Sequence, residues 1–229
     1  MTSIKSTLSG MLFLFFSTHF FASTVTYTDH RGFQTVLAGV NGTHGNGAAP
    51  FANAADRFGV TSAPILYTIG DVGPAGGWVF YVIDGGLHGL EAAPEDQNGG
   101  NLTQWGCYGE MVPGTFGSAV GTGASNTNLL LAHSCSISPQ YGGKTHDAAI
   151  HVAAYSLNGH NDWFLPSRDE LNLMYNNLPN NGVRSFASNY YWSSSRFSAY
   201  DAPILNFSNG EKTSGFKYFP VNVRAVRAF

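Results

Sequence analysis

The sequence predicts an α+β domain in which antiparallel strands are joined by long loops and two helices. Short runs of β-branched and aromatic residues, bounded by turn residues, recur from residue 65 onward and indicate strands. Two segments repeat apolar residues at helical spacing. The 28 glycines, together with many Asn, Ser and Thr residues, favour turns and irregular loops over long helices. Hydrophobic residues make up 43% of the chain and charged residues 11%, which is enough apolar surface for a folded core.

The N-terminal segment, residues 1–22, has the pattern of a cleavable signal peptide. Lys5 supplies a positive charge, and the mainly apolar run from Leu8 to Phe21 is too short to span a bilayer. Ala22 and Ser23 are small enough for cleavage nearby. A buried hydrophobic helix is the alternative interpretation of the run. We therefore expect an extracytoplasmic chain that is secreted, periplasmic or at the cell surface, and no later segment is apolar for long enough to form a transmembrane helix.

Two further regions follow the predicted signal peptide. Residues 23–64 mix Gly, Ala, Asn and Thr without sustained periodicity, which indicates a linker or a loosely ordered N-terminal arm. Residues 65–229 have the usual size of one domain. The stretch from Gln97 to Gly123 is rich in glycine and predicted to be irregular. Turns are expected at Asp84–Gly86 and Asn209–Gly210. The predicted strands are Ile65–Ile69, Gly77–Ile83, Leu87–Pro94, Tyr190–Trp192, Pro203–Phe207, Phe216–Phe219 and Val221–Phe229.

Two helices are predicted from apolar spacing and end signals. The first runs from about Asp147 to Leu157, with Gly159 placed to stop it. The second begins after Ser167, which forms an S-x-x-E capping box with Glu170, and it ends at Pro179. Both helices have one apolar face, so we expect both to pack on the strands.

The chain contains two cysteines, Cys107 and Cys135. In an exported protein an even number of cysteines most simply indicates a disulfide bond, and a loop of this length would be stabilised by roughly 3 to 4 kcal/mol. Free thiols are the alternative. Two thiols without a nearby CxxC or His-pair spacing do not make a zinc site.

The sequence lacks the constellations that catalysis requires. It contains no G-x-S-x-G nucleophile motif, and no glycine-rich loop joins a strand to a helix with the Lys and Ser/Thr of a phosphate site. His146 and His151 lie five residues apart, which is not the i, i+4 spacing of a helical metal pair. Glu170 already has a place in the capping box. We expect no enzymatic activity, no metal, no cofactor and no nucleic-acid partner.

Charge and aromatic residues suggest where a ligand would bind. From residue 184 onward basic residues outnumber acidic ones, although the formal net charge of the chain is −3. A basic part attracts anions, whereas a solvated or internally paired arrangement is the alternative. Flat rings with polar edges suit sugar faces, with core packing as their alternative. The predicted ligand-binding residues are Arg184, Arg196, Lys212, Lys217, Tyr190 and Trp192.

Several strings occur in a characteristic order: Gly70–Gly77, Val79–Val82, Gly86–Pro94, Trp105–Gly109, Gly121–Thr127, Asp162–Ser167, Asp169–Leu173, Tyr191–Ser195 and Val223–Arg227. Together they resemble the bacterial exported domain family named after the C-terminal domain of the Legionella collagen-like adhesin. The resemblance implies a C-type-lectin-like architecture, distantly similar to the formylglycine-generating-enzyme fold, and adhesion through sulphated glycosaminoglycans. The chain lacks the Gly-X-Y arm of the namesake and the catalytic cysteine arrangement of the enzymes.

Two functions from different classes fit these observations. The first is an exported surface or secreted module that binds carbohydrate, including sulphated glycans, or serves in adhesion. The alternative is a structural or protein-interaction domain of the cell envelope without a glycan ligand, because most of the motifs are explained by folding alone. The expected partner is a glycan in the first case and a surface protein in the second.

Overall fold

The computed structural model describes residues 64–114, 117–135, 147–183 and 185–229, together with the backbone of two short strands near the N-terminus. The chain divides into two compact units, residues 1–64 and 65–229. In the first unit, β1 (Val25–Thr28) and β2 (Gln34–Leu37) form an antiparallel pair within the predicted arm. The predicted signal peptide lies outside the described residues.

The second unit contains two three-stranded antiparallel sheets. The first sheet has the order β3 (Trp78–Ile83), β4 (His88–Ala92) and β8 (Val226–Ala228). β3 and β4 confirm the expected strands and turn, and the left-handed Gly86 of that turn has no room for a side chain, because a Cβ would lie 2.4 Å from the Tyr67 carbonyl oxygen. The sheet thus joins the beginning of the unit to its C-terminus.

The second sheet has the order β5 (Tyr190–Trp192), β6 (Asp201–Asn206) and β7 (Lys212–Phe216). The tight connection between β6 and β7 contains Asn209–Gly210, as predicted, with Gly210 at φ 78°. β7 begins earlier than expected and ends at Phe216, so residues 217–219 form a turn instead of a strand.

Two other predicted strands need correction. Ile65–Ile69 is irregular, and Ile65 and Leu66 are 62% and 58% exposed, since no neighbouring strand pairs with this run. Val221–Phe229 is extended, but Val226–Ala228 alone pairs as a strand. Val221 forms an isolated bridge with Thr103 instead. Among the described residues, Ile65–Ile69 has no strand partner, whereas residues 221 and 222 pair only through isolated bridges.

The unit contains three helices, α1 (Gly123–Ala132), α2 (Asp147–Ala153) and α3 (Arg168–Asn177), where two were predicted. α3 begins with the expected capping box between Ser167 and Glu170. α2 ends four residues before the predicted Leu157. α1 was not predicted, because it opens with Gly, Ser, Thr and Asn and places three leucines side by side instead of at helical spacing.

The core consists of two clusters of buried side chains. One is built around Trp105, Trp163 and Trp192. The other packs Phe80 of β3 against Leu171 and its neighbours on α3. The observed class is therefore α+β, as predicted. Within the described residues, no helix combines the length and apolar character needed to cross a membrane.

Candidate functional site

The glycine-rich segment at residues 70–77 folds around a buried carboxylate. The amides of Ala75 and Gly77 donate to Glu91 at 3.1 and 2.9 Å, and the Arg227 guanidinium lies 3.1 Å from it. A Cβ on Gly73 or Gly77 would lie 2.6 Å from the Glu91 side chain and from the Ala92 carbonyl oxygen respectively. Glu91 is fully buried, so these motif residues maintain the fold and are not available to a ligand.

Glu170 has a similar structural role at the start of α3. Its carboxylate accepts hydrogen bonds from the amides of Gly121 and Ser167, both at 2.7 Å, and is fully buried. Burial raises the pKa of this carboxyl above its usual value, while the amide donors oppose the shift. All its partners belong to the protein, which is the pattern of a structural carboxylate.

Two of the predicted cationic ligand residues are buried, which corrects their assignment. Lys217 is fully buried, donates from Nζ to the Glu110 carbonyl oxygen at 2.9 Å and lies 4.6 Å from the centre of the Trp105 ring. Burial lowers the pKa of this ammonium to about 8. Arg196 is 5% exposed and contacts the Met111 sulfur, and burial lowers its pKa as well. Neither cation is at the surface, where a ligand would bind.

The remaining predicted residues are not brought together. Lys212 is exposed on β7, whereas Trp192 is fully buried and donates from Nε1 to the Thr103 carbonyl oxygen at 2.8 Å. Tyr190 is half-buried and donates to Glu211 at 2.8 Å, a bond that raises the pKa of its phenol. Arg184 lies outside the described residues. The predicted anionic-glycan site is therefore not assembled from the described members of this set.

A different group of side chains does come together at the surface. Five aromatic residues, Tyr108, Tyr200, Phe216, Tyr218 and Phe219, form what we call the aromatic surface. The Tyr108 ring contacts those of Tyr200, Phe216 and Tyr218, with centroid distances of 5.3, 6.4 and 4.8 Å. Phe219 contacts Phe216 and Tyr218 at 5.5 and 4.7 Å. Phe216 and Tyr218 also stack on each other at 5.6 Å, so the five rings form one continuous cluster in which Tyr108 connects Tyr200 to the others.

The aromatic surface is open to solvent. Tyr200, Phe216 and Phe219 are 52%, 43% and 45% exposed, and Tyr108 and Tyr218 are half-buried. Phe197, which is 71% exposed, lies three residues before Tyr200 in the same loop. Contiguous exposed rings of this kind mark binding surfaces more often than scattered apolar residues do.

Backbone hydrogen bonds hold three distant segments together under these rings. The Lys217 amide donates to the Tyr200 carbonyl oxygen at 2.9 Å, and the Gly109 amide donates to Ala199 at 3.0 Å. The Lys217 carbonyl oxygen accepts from the amide of Trp105 at 3.0 Å. The segments around residues 108, 200 and 218 are therefore fixed against each other by the same interactions that bury Lys217.

The Cys107–Cys135 disulfide is present and borders the aromatic surface. It joins the residue before Tyr108 to the segment after α1, and the two Cα atoms lie 5.2 Å apart. A contact of 3.2 Å between His133 Nε2 and the Glu110 carboxylate links the same two segments. The predicted cysteine pairing is thus part of the frame around the candidate site.

The sequence indicated only part of the aromatic surface. Tyr108 and Tyr200 lie in predicted loops, but Phe216, Tyr218 and Phe219 fell within a predicted strand and were not considered. The signal that could have indicated this surface is the number of aromatic residues next to Lys217. One strand cannot bury all of these rings, so some of them must be exposed.

A polar cleft of about 240 Å³ lies elsewhere on the unit. Its Asp96 carboxylate is paired with Arg224 at 2.7 Å and accepts from the Tyr191 hydroxyl at 2.9 Å, so it is already satisfied. In the part of the chain that the structure describes, no group of three or more His, Cys, Asp or Glu is arranged to hold a metal ion. The other lining residues include Glu95, Gln97, Asn98, His151 and Tyr155.

The family model described as the Lcl C-terminal domain matches residues 122–227. That range includes α1, α2, α3, both edges of the second sheet and all of the aromatic surface except Tyr108. No curated protein matches the sequence.

Proposed function

We propose that the chain is an extracytoplasmic, non-enzymatic binding module that contacts carbohydrate through its aromatic surface, and the match of residues 122–227 to the Lcl C-terminal domain family supports this. The family is compatible with an adhesion-type module. The α+β arrangement of short antiparallel strands and long loops supports a C-type-lectin-like fold for this unit. The disulfide supports export, because such bonds persist mainly in oxidising compartments.

The exposed rings of the aromatic surface carry the proposal. The C–H faces of pyranose rings pack on flat aromatic side chains, and tyrosine hydroxyls at the ring edges reach the sugar hydroxyls. Three of the rings are between 43% and 52% exposed, which leaves their faces or edges available for such contacts. A binding surface of several rings also suits a glycan of more than one residue.

The charges favour neutral sugars over sulphated glycans. Arg224 is buried against Asp96, Arg227 is bound to Glu91, and Arg196 and Lys217 are buried. Exposed Lys212 remains a candidate contact for sulphate. Lys212 is the one exposed cation among the described members of the predicted ligand-binding set, and one such contact gives a weak, salt-screened attraction.

A glycan array with a matched pair of variants tests the proposal. The variant Tyr200→Ala/Phe219→Ala removes two exposed rings that lie outside the strands, whereas Ile65→Ser/Leu66→Ser removes two exposed apolar side chains elsewhere on the unit. We expect wild-type protein and the second variant to bind the same glycans and the first variant to lose them. Absence of any glycan signal for wild-type protein would contradict the carbohydrate proposal.

The alternative proposal is a protein-interaction domain that uses the same surface. Aromatic rings dominate the centres of protein interfaces as well, which is the observation that favours it. Sulphated glycans are tested by retention on heparin over a salt series with Lys212→Glu. Retention of wild type that is lost in Lys212→Glu supports the sulphated-glycan candidate. If neither wild type nor Lys212→Glu is retained and no glycan on the array binds, the results support a protein partner.

A further inference from the structure

We infer that the Cys107–Cys135 disulfide positions Tyr108 between Tyr200 and the rings of Phe216 and Tyr218, so that reduction of this bond displaces Tyr108 and weakens binding at the aromatic surface. The inference rests on the proposed function for its effect on binding, whereas its structural part stands by itself.

Cys107 has a backbone conformation that a side chain normally avoids. Its φ of 51° lies in the left-handed region, as do those of its neighbour Gly106 at 97° and of Gly109 at 88°. Glycine enters this region freely, but a residue with a Cβ is strained there. A non-glycine residue keeps such a conformation only when its surroundings impose it.

Backbone hydrogen bonds bracket the Tyr108 turn. On one side Gly106 donates to the Lys217 carbonyl oxygen at 3.3 Å, and on the other Gly109 donates to Ala199 at 3.0 Å. Between these attachments the Glu110 amide donates to the Cys107 carbonyl oxygen at 3.1 Å, a bond within the turn that moves with it when the φ of Cys107 changes. A change of φ at Cys107 therefore redirects Tyr108 without unfolding the segments on either side.

Cys135 provides a firm anchor for the bond. It follows α1, whose Thr127 hydroxyl accepts from the Leu165 amide at 3.0 Å and whose first residue, Gly123, packs against Glu170. α1 is thereby fixed to the core through long-range contacts. Because the disulfide bonds Cys135 to Cys107, it restrains the position of Cys107 and of the adjacent Tyr108 ring.

Reduction removes this constraint by thiol–disulfide exchange. A thiolate of a dithiol reductant attacks one sulfur of the bond, the S–S bond breaks, and the second thiol of the reductant resolves the mixed disulfide. The two electrons come from the reductant, which becomes a cyclic disulfide, and the protein gains two cysteine thiols. Cys107 then relaxes to an ordinary φ, and the Tyr108 ring moves away from those of Tyr200 and Tyr218.

The test compares backbone amide hydrogen exchange in four forms of the full chain: oxidised wild type, wild type reduced with dithiothreitol, Cys107→Ser/Cys135→Ser, and Cys107→Gly/Cys135→Ser. Both variants lack the bond and share any general loss of stability. Glycine retains the left-handed conformation at no steric cost, so the glycine variant isolates the effect of the Cys107 backbone. The hairpin of β3 and β4 serves as the internal reference.

We expect exchange at residues 107–110 to accelerate at least tenfold in the reduced protein and in the serine variant, and by a smaller factor in the glycine variant, relative to the reference hairpin. Binding to the strongest glycan on the array should weaken in the same order. Unchanged exchange at residues 107–110, or equal acceleration in both variants, would overturn the inference. Because exchange is measured without ligand, a blank glycan array refutes the proposed function and leaves this result standing.

Discussion

The ammonium of Lys217 lies 4.6 Å from the centre of the Trp105 ring and donates to the Glu110 carbonyl oxygen. Its neighbours in the sequence, Phe216 and Tyr218, both belong to the aromatic surface. Lys217 lies in the turn that follows β7, where its amide donates to the Tyr200 carbonyl oxygen and its carbonyl oxygen accepts from the Trp105 amide, and its side chain is fully buried. The buried cation therefore connects the aromatic surface to the tryptophan core.

Lys217 should make stability depend on pH in a defined direction. Burial lowers the pKa of its ammonium from 10.5 to about 8 in the folded protein, so between these values the unfolded chain binds more protons. The free energy of unfolding should then rise with pH across this interval. Relative to Lys217→Met, wild type should gain roughly 2 kcal/mol between pH 7.5 and 10, as 1.36 kcal/mol corresponds to each unit of pKa shift.

The measurement is denaturant unfolding of both proteins over that pH range. The difference between the two isolates Lys217, because the tyrosines that titrate near the upper end are shared. A difference that stays constant with pH, or that moves in favour of the variant as pH rises, would show that Lys217 is not held in a desolvated site.

Gly123 should not tolerate a side chain. A Cβ there would lie 2.2 Å from the Glu170 carboxylate and 2.9 Å from the Leu165 carbonyl oxygen. Gly123→Ala should lower the free energy of unfolding by about 3 kcal/mol through overpacking beside a buried carboxylate. Gly159→Ala is the control, since Gly159 has a φ of 84° with no atom within 4 Å and should cost only about 1 kcal/mol. Equal losses in thermal or denaturant unfolding would refute the steric explanation.

Arg224 and Asp96 should behave as one buried unit. Arg224 is fully buried, lies 2.7 Å from Asp96 and also donates to the carbonyl oxygens of Ala93 and Ser185. Asp96→Asn leaves a buried cation without its counter-charge and should cost about 3 to 5 kcal/mol. Asp96→Asn/Arg224→Met should recover part of this loss in a double-mutant cycle.

The exposed pair of Arg168 and Asp169 provides the comparison for that cycle. Its side chains are 55% and 44% exposed, and Asp169→Asn should cost less than about 1 kcal/mol because solvent screens the interaction. Additive effects at Asp96 and Arg224, or a loss at Asp169 as large as that at Asp96, would contradict the assignment of a buried, coupled pair.

The sequence predicted those features of the fold that depend on interactions between residues close together in the chain. The capping box at Ser167 and Glu170 and the turn at Asn209–Gly210 were correctly identified, because each depends on residues within a few positions. α1 was missed because it depends on distant partners, such as Thr127 with Leu165. Its residues have weak helix propensity, so only the tertiary contacts explain the helix.

The candidate site was predicted less well for the same reason. Positive charge from residue 184 onward suggested an anion site, but Lys217 and Arg196 are buried by contacts with residues near 110. The sequence does not show which cations pair inside the protein. The aromatic surface joins segments around residues 108, 200 and 218, and no periodicity connects positions so far apart.

The most direct test of the central claim is calorimetric titration of the strongest array glycan into wild type, Tyr200→Ala/Phe219→Ala and Ile65→Ser/Leu66→Ser. We predict that the aromatic variant binds at least tenfold more weakly, because two stacking contacts are lost, while the control variant has the wild-type Kd. Equal affinities for wild type and the aromatic variant, with both proteins folded, would contradict the assignment of the aromatic surface as the carbohydrate site.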